Sequence, residues 1–432
     1  MANARRRVRY ERRRPERTVL YRLVQEHIAT VFAEAEAEGS FGYPSHIKRE
    51  FERYLSCGIL AAGFARIQCS SKGCTFERLV AYSCKGRSIC SSCVARRMAD
   101  GAAHLVDRVL PRAPYRQWTL SLPYRVRYRI GADSALLSKV LSVFLRTLFA
   151  WQRRRARRAG LKKPLTGAVT LCQRYGSLLQ FSPHFHSWLP DGVFVQNDDG
   201  SVTFARLEPP SDDDVEQLLI RIARRVEALV TKTQPVGDDD DNADPLAVDR
   251  ASAILPALGR AAKSPTQSRP RSRRCSFLDG YSLHADLDVE ADERRKLERL
   301  LRYGLRPAFA QRRLSITPSN KMHLELRKPT HTNQTAIVLD AKAFLRRLIA
   351  TIPPRRANNV RFHGVYAPNA KVRPALTALL PKLPLAETDK DDCAHGEEEA
   401  RHGDAATTKG EPVPHKYRRT WHEFLRRVFD IN

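Results

Sequence analysis

Six of the nine cysteines in this 432-residue chain fall within one short stretch: Cys57, Cys69, Cys74, Cys84, Cys90 and Cys93. Cys90-Ser-Ser-Cys93 is a CxxC knuckle, and Cys69 and Cys74 bracket the turn-forming Ser-Ser-Lys-Gly. Two thiolate pairs, each held by a tight turn, supply the four tetrahedral ligands that structural zinc prefers. Buried thiols or a disulfide pair are the alternatives. The N-terminal MANARRRVRYERRRPERT has no apolar signal region, so a reducing compartment is expected, where disulfides are disfavoured. The cluster therefore reads as a Zn2+ site whose metal binding is coupled to the folding of this segment.

Charge narrows the partner. Lys and Arg number 75 against 47 Asp and Glu, a net charge of +28, which suits a polyanion. No run of about 18 apolar residues offers a membrane span, and there is no lipidation motif. The basic residues are bunched. Residues 5–17 carry eight arginines; Arg153, Arg154, Arg155, Arg157 and Arg158 lead into Lys162 and Lys163; Arg269, Arg271, Arg273 and Arg274 form a third block. Each block alone reads as a solvated, self-repelling stretch, and together they point to nucleic acid. Acidic runs lie at Asp238 to Asp241 and Asp389 to Glu399, in segments without apolar periodicity, so 233–274 and 385–415 read as flexible linkers.

Apolar spacing predicts helices over 18–37, 46–56, 97–110, 133–158 and 212–231, the last opening on Asp212-Asp213-Asp214. Alternating stretches at 117–122, 168–174, 178–189 and 192–196 predict strands, with Asp191-Gly192 as a hairpin signal. The expected fold is α+β: an antiparallel sheet flanked by helices, preceded by a small helical, zinc-ribbon-like domain. The expected organisation is a basic arm (1–17), a helical zinc-binding domain (18–111), a core in two parts (112–232 and 275–384) either side of the 233–274 linker, the 385–415 linker, and a C-terminal helix (416–432).

His184-Phe185-His186 lies in one of the strand-like stretches. Residues two apart on a strand share a face, so both imidazoles can converge on one ion. An HxH by itself is a weak signal; aromatic and aliphatic neighbours strengthen it, because a buried histidine pair without a partner is costly. A second candidate is Tyr303, at the C-terminal edge of a helix pattern over 292–307 and surrounded in sequence by Arg299, Arg302 and Arg306. Guanidinium groups there would hold a phosphodiester and lower the phenol pKa, whereas the plain alternative is a tyrosine packed at a helix end.

The ordered segments SCKGRSICSSC, RQWTLSLPYR, CQRYGSLLQFSPHFHSWLPDGVF, GYSLHADL, LERLLRYGLRPAF and VRFHGVYAPNAKVR resemble the rolling-circle HUH transposases of the insertion sequence ninety-one type, which carry an N-terminal transposase zinc-binding domain. The resemblance runs from about residue 40 to the C-terminus. It implies an HUH-type sheet and a single-strand DNA endonuclease and strand transferase acting at transposon ends and target, in the bacterial cytoplasm and nucleoid. It implies His184 and His186 as ligands of Mg2+ or Mn2+, Gln173 on the neighbouring strand as a third ligand, and Tyr303 as the nucleophile that forms a 5′-phosphotyrosine. Zinc would be held by Cys69, Cys74, Cys90 and Cys93, with Cys84 or Cys57 able to replace one of them, since the family spaces its first pair by two residues rather than four. Some relatives have a second tyrosine four residues before the first; position 299 here is arginine, leaving one nucleophile.

Arg153, Arg154, Arg155, Arg157, Arg158, Arg302 and Arg306 are the expected phosphate contacts, and Trp188, Tyr124 and Tyr128 are candidates to stack on unpaired bases or to pack in the core, with Trp118 assigned to the core. Two other classes fit part of the pattern. A zinc-dependent DNA-binding regulator explains charge and cysteines but leaves His184, His186 and Tyr303 idle. A replication initiator would share the chemistry and act at an origin.

Overall fold

The structure is a computed structural model that describes residues 13–37, 42–233, 273–330 and 332–381. The basic arm as far as residue 12, the linker over 234–272, and everything from 382, including the acidic linker and the expected C-terminal helix, lie outside the described residues.

The described chain forms two compact units, of which the smaller is built on residues 56–84. Here β1 (Phe64–Gln68) and β2 (Glu77–Ala81) pair antiparallel from Phe64↔Ala81 to Gln68↔Glu77. Phe64, Ile67 and Leu79 remain exposed, so this hairpin buries little of its apolar surface. An isolated two-stranded hairpin is marginal in water, which makes any cross-link at its base valuable.

The larger unit includes α1 (Val19–Ala37), α2 (Ser45–Ser56), α3 (Ser91–His104) and all the remaining described elements. At its centre is an antiparallel sheet of β14 (Val360–Gly364), β4 (Gly167–Tyr175), β5 (Phe181–Pro190), β3 (Tyr115–Ser121), β9 (Tyr281–His284) and β8 (Cys275–Leu278), in that order, with β10 (Asp288–Val289) also on β3. Alternation along the strands sends two sets of side chains to two cores. Trp118, Leu120, Phe185, Leu189 and Leu283 face a core covered by α4 (Tyr124–Ala132), α5 (Ser134–Arg158) and α6 (Asp212–Lys232). Tyr115, Val169, Leu171 and Trp188 face the other, filled by Leu297 and Leu301 of α7 (Arg294–Leu305) and by Leu105 and Val106, just after α3. Burial of each large apolar side chain is worth about 1.5–3 kcal/mol, so these two layers set the fold.

The helix ends follow from local chemistry. Asp133 accepts the Ala135 and Leu136 amides to start α5, and Ser211 with Asp214 forms a reciprocal capping box on α6. By length and composition α5 is apolar enough to cross a membrane, but its apolar face, from Leu136 to Trp151, is packed in the core.

Strand periodicity located β3, β4, β5 and β6 (Gly192–Gln196) to within three residues at each end. The Asp191-Gly192 hairpin is corrected: β5 pairs with β3 and β4, whereas β6 pairs with β7 (Val202–Arg206). Asp191 does not turn the chain back, because the buried Arg116 guanidinium grips its carboxylate with two hydrogen bonds of 2.9 and 2.6 Å. Gly192 is then required by packing, since a Cβ there would sit 2.2 Å from the Ala205 carbonyl oxygen. The real reversal is the Asn197–Gly200 turn, where Gly200 has φ +81°.

Candidate functional site

His184 and His186 lie on β5 as expected, with ring centroids 4.9 Å apart. Register fixes their neighbours: His184 is opposite Gln173 of β4 and Ser121 of β3, and His186 is opposite Leu171 and Thr119. Directly paired residues point to the same side, so both imidazoles share a face with Gln173, Thr119 and Gln117. His284 of β9, opposite Thr119, joins that face, its Nδ1 2.9 Å from Cys275 Sγ.

The ring nitrogens have defined partners. His184 Nδ1–H donates to the Ser182 carbonyl oxygen at 2.7 Å, which leaves Nε2 with its lone pair. His186 Nδ1 lies 2.9 Å from the Gln117 amide and 3.1 Å from the Thr119 hydroxyl. The Gln117 Nε2–H donates to Nδ1, which puts the proton of a neutral His186 on its own Nε2; a metal on that Nε2 requires the Gln117 amide turned so that its oxygen accepts Nδ1–H. Burial pushes the His184 pKa below its ordinary value. Burial, then the neighbouring His184 and Arg306, brings that of His186 down to about 3. Both rings are therefore neutral at physiological pH, the form that binds metal. Gln173, opposite His184, brings an amide rather than a carboxylate to the same face.

Tyr303 sits in the last turn of α7, 41% exposed, while Leu297, Leu301 and Gly304 of the same helix are buried against the sheet. Gly304 permits that approach: a Cβ would lie 2.4 Å from Leu171 Cδ1. The Gln173 side-chain amide donates to the Gly304 carbonyl oxygen at 2.5 Å, and the Tyr175 hydroxyl donates to the Arg306 carbonyl oxygen. The helix stops because Pro307 excludes its predecessor from the helical region; Arg306 is extended, with φ −60° and ψ 157°. Its guanidinium then folds back to 3.9 Å from the Tyr303 ring centroid.

The arginine environment of Tyr303 differs from the sequence expectation. Arg306 is there, but Arg302 is bound to Glu298 at 2.6 Å on the same helix, and the second guanidinium over the ring is Arg327, at 4.8 Å. Arg302 was drawn away because i and i+4 on a helix are neighbours. The α5 block divides too. Arg153 reaches the Thr166 hydroxyl and Arg155 the Glu208 carbonyl, whereas Arg154, Arg157 and Arg158 are exposed. Trp188 is fully buried, so it packs in the core and cannot stack on a base; Trp118 is core as well. Tyr124 is 40% exposed. Sequence reading missed Gln117, Thr119, Tyr175 and Arg327. The first two carry the same spacing of two as the histidines and were readable as face-sharing; nothing local to Arg327 announces its role.

Four thiols come together. The Sγ atoms of Cys57, Cys84, Cys90 and Cys93 all lie within 4.8 Å of one another, and the Cys84 amide donates to Cys57 Sγ at 3.3 Å. Cys90 N-caps α3 and Cys93 lies in its first turn, which directs both side chains from one helix end. Cys69 and Cys74 stand apart from this group, at the tip between β1 and β2, where the Cys69 amide donates to Phe76 and the Cys74 amide to Ser71. The expected pairing of Cys69 and Cys74 with Cys90 and Cys93 is not what the fold assembles, because the hairpin carries its tip away from its base by the length of its five-residue strands. Among the described residues, this is the group of three or more His, Cys, Asp or Glu side chains arranged to hold a metal.

Comparison with known families finds two matches. Residues 24–122 match the transposase zinc-binding domain (Zn_Tnp_IS91), and residues 167–373 match a transposase family (Y2_Tnp). The first segment holds the four-thiol cluster, and the second holds Gln173, His184, His186 and Tyr303. Neither a curated protein nor a solved structure matches the chain. With the IS91-type zinc-binding domain matched at its N-terminus and a transposase domain after it, the chain belongs to the IS91-type transposase family.

Proposed function

We propose that this transposase cleaves and rejoins single-stranded DNA by a rolling-circle mechanism, with Tyr303 as nucleophile, on an HUH-type sheet. The observation that carries the reading is the pair of neutral imidazoles on one strand, on the sheet face packed by the helix that bears an exposed tyrosine. A divalent ion such as Mg2+ or Mn2+, held by Nε2 of His184 and His186 with Gln173 Oε1 as third ligand, would polarise a phosphate oxygen and orient it.

The chain's own residues supply the rest. The Tyr303 oxygen forms a bond to phosphorus as the P–O3′ bond breaks; the phenol proton is lost and the departing 3′ oxygen leaves as a hydroxyl. The 5′-phosphotyrosine conserves the energy of the diester, so a 3′ hydroxyl can reverse the step without a nucleotide cofactor. Ser182 holds the His184 tautomer, whereas on His186 the Gln117 amide would turn its oxygen to Nδ1–H, beside the Thr119 hydroxyl, to free Nε2. Position 299 is arginine, so strand exchange must reuse Tyr303, recruit a second subunit or use a free hydroxyl. Zinc is assigned to Cys57, Cys84, Cys90 and Cys93, as a staple rather than a catalyst.

The test is incubation of the full chain with single-stranded ends of its element and manganese, followed by denaturing electrophoresis. A protein–DNA adduct is expected that is lost with Tyr303→Phe and with a chelator. An adduct that survives in Tyr303→Phe reassigns the nucleophile; no adduct with any end sequence or metal sinks the reading.

A further inference from the structure

We infer that Arg306, Arg313 and Arg327, with Arg312 at their edge, form a cradle for a backbone phosphodiester of single-stranded DNA beside the Tyr303 hydroxyl. This rests on the reading of Tyr303 given above and names the groups that hold its substrate.

The cradle is assembled from three separate stretches. Arg306 follows α7, Arg312 and Arg313 lie in a short turn before β11 (Leu314–Ile316), and Arg327 follows β12 (Met322–Glu325). Arg306 and Arg327 both lie over the Tyr303 ring, with guanidinium carbons 3.9 and 4.8 Å from its centroid. Arg313 is close enough to the others to feel them: burial first, then Arg327, and also Arg306 and Arg312, hold its pKa below the ordinary value, against an opposing pull from Glu325. Among the described residues none of these four arginines is ion-paired with a carboxylate, although Arg302, one turn away, is.

Such a grouping is unfavourable in isolation. Cation–π contact returns only about 0.5–1 kcal/mol at a partly exposed ring, while like charges brought together repel. The arrangement makes physical sense once an anion joins it. A further sign is Arg306 Nη1, which is buried and has no hydrogen-bond partner. A buried guanidinium donor left unmatched is costly, and a phosphate oxygen is the acceptor its planar fork suits best. Because Pro307 fixes the Arg306 backbone and Tyr175 binds its carbonyl, the donor is held in place before substrate arrives. The occupant is a phosphodiester rather than a carboxylate, since the cradle borders a phenol poised to attack phosphorus.

The experiment uses the full chain carrying Tyr303→Phe, so that no cleavage interferes. Affinity is measured for a short oligothymidine and for the same oligomer with an uncharged methylphosphonate backbone, with Arg306→Gln or Arg327→Gln added. Each arginine change is expected to weaken the phosphodiester oligomer about 10-fold, leave the methylphosphonate oligomer unaffected, and lower the salt slope by about 0.7. Arg327 is exposed, so its variant reports even if Arg306→Gln perturbs folding. Unchanged affinity for oligothymidine in both variants overturns the cradle, as does an equal loss on both oligomers. The adduct assay fails or succeeds separately: a Tyr303-dependent adduct with unaltered oligothymidine affinity removes the cradle alone, and charge-specific losses without any adduct remove the nuclease reading alone.

Discussion

Gln173 and Gly304 are 131 positions apart in sequence, yet the Gln173 amide donates a 2.5 Å hydrogen bond to the Gly304 carbonyl oxygen. This bond joins the strand beside the histidines to the last turn of the helix that carries Tyr303, and it is made by a side chain that is itself buried. Gln173→Leu leaves that carbonyl unanswered in the interior. Stability to urea is expected to fall by about 1–3 kcal/mol, and adduct yield to fall with it as Tyr303 loses its anchor. Unchanged urea midpoint and yield would show the bond to be incidental.

Close packing at the same helix end gives a second outcome. In Gly304→Ala the new Cβ meets Leu171 Cδ1 at 2.4 Å, so overpacking by about 1–3 kcal/mol is expected. Adding Leu171→Ala removes the obstructing atom, and the two changes together should cost less than their sum. A double-mutant cycle measures this; strict additivity would mean that the helix is not held against Leu171.

Arg116 and Asp191 form a buried pair at the junction where the chain leaves the central sheet, and Arg116 also donates to the Ala285 carbonyl at 2.8 Å. Asp191→Ala strands a guanidinium in the interior and is expected to cost about 3–5 kcal/mol in denaturant unfolding. Replacing both by apolar residues should cost far less. If the single and double variants unfold alike, the pair does not hold the junction.

Metal content separates the two sets of thiols. Serine at Cys57, Cys84, Cys90 or Cys93 is expected to abolish bound zinc and unfold the hairpin unit, as befits apparent zinc binding of about 10–16 kcal/mol in small zinc modules. Cys69→Ser and Cys74→Ser should retain one zinc per chain. Atomic absorption on purified variants measures both, and loss of zinc in Cys69→Ser would restore that residue to the ligand set.

His363 on β14 gives a pH signature away from the proposed metal ligands. Burial, then Arg361, lowers its pKa to about 4, against about 6.5 when unfolded. The unfolded chain therefore binds more protons between these values, so this group's contribution to stability rises with pH from about 4 to about 6.5 and is level above. In His363→Gln the climb across that window should be shallower than in the parent, as followed by urea midpoints at several pH values. Parallel profiles would contradict the assignment.

Local patterning carried the longer helices and the central strands. Periods of two and of three to four placed β3 to β6, α1, α5 and α6, because side-chain alternation and capping are properties of neighbouring residues. Among the helices missed, which include Ala341–Ala350 and Arg373–Thr377, α4 is short and rich in arginine, and its buried apolar stripe is only Val126 and Ile130. Composition and the ordered motifs were enough to indicate a zinc-bearing, DNA-directed transposase. The HxH spacing also put two imidazoles on one face before any fold was known.

What the sequence alone could not decide is which distant groups meet. Six cysteines in a row of spacings do not say that four converge at the base of a hairpin while two ride its tip. Nor do they say that Arg302 is spent on Glu298 while Arg327 crosses to Tyr303. The reason is physical: helix and strand periodicity is fixed by bonds between near neighbours, whereas partner choice across the chain is fixed by how two apolar layers pack, and that is a property of the whole fold.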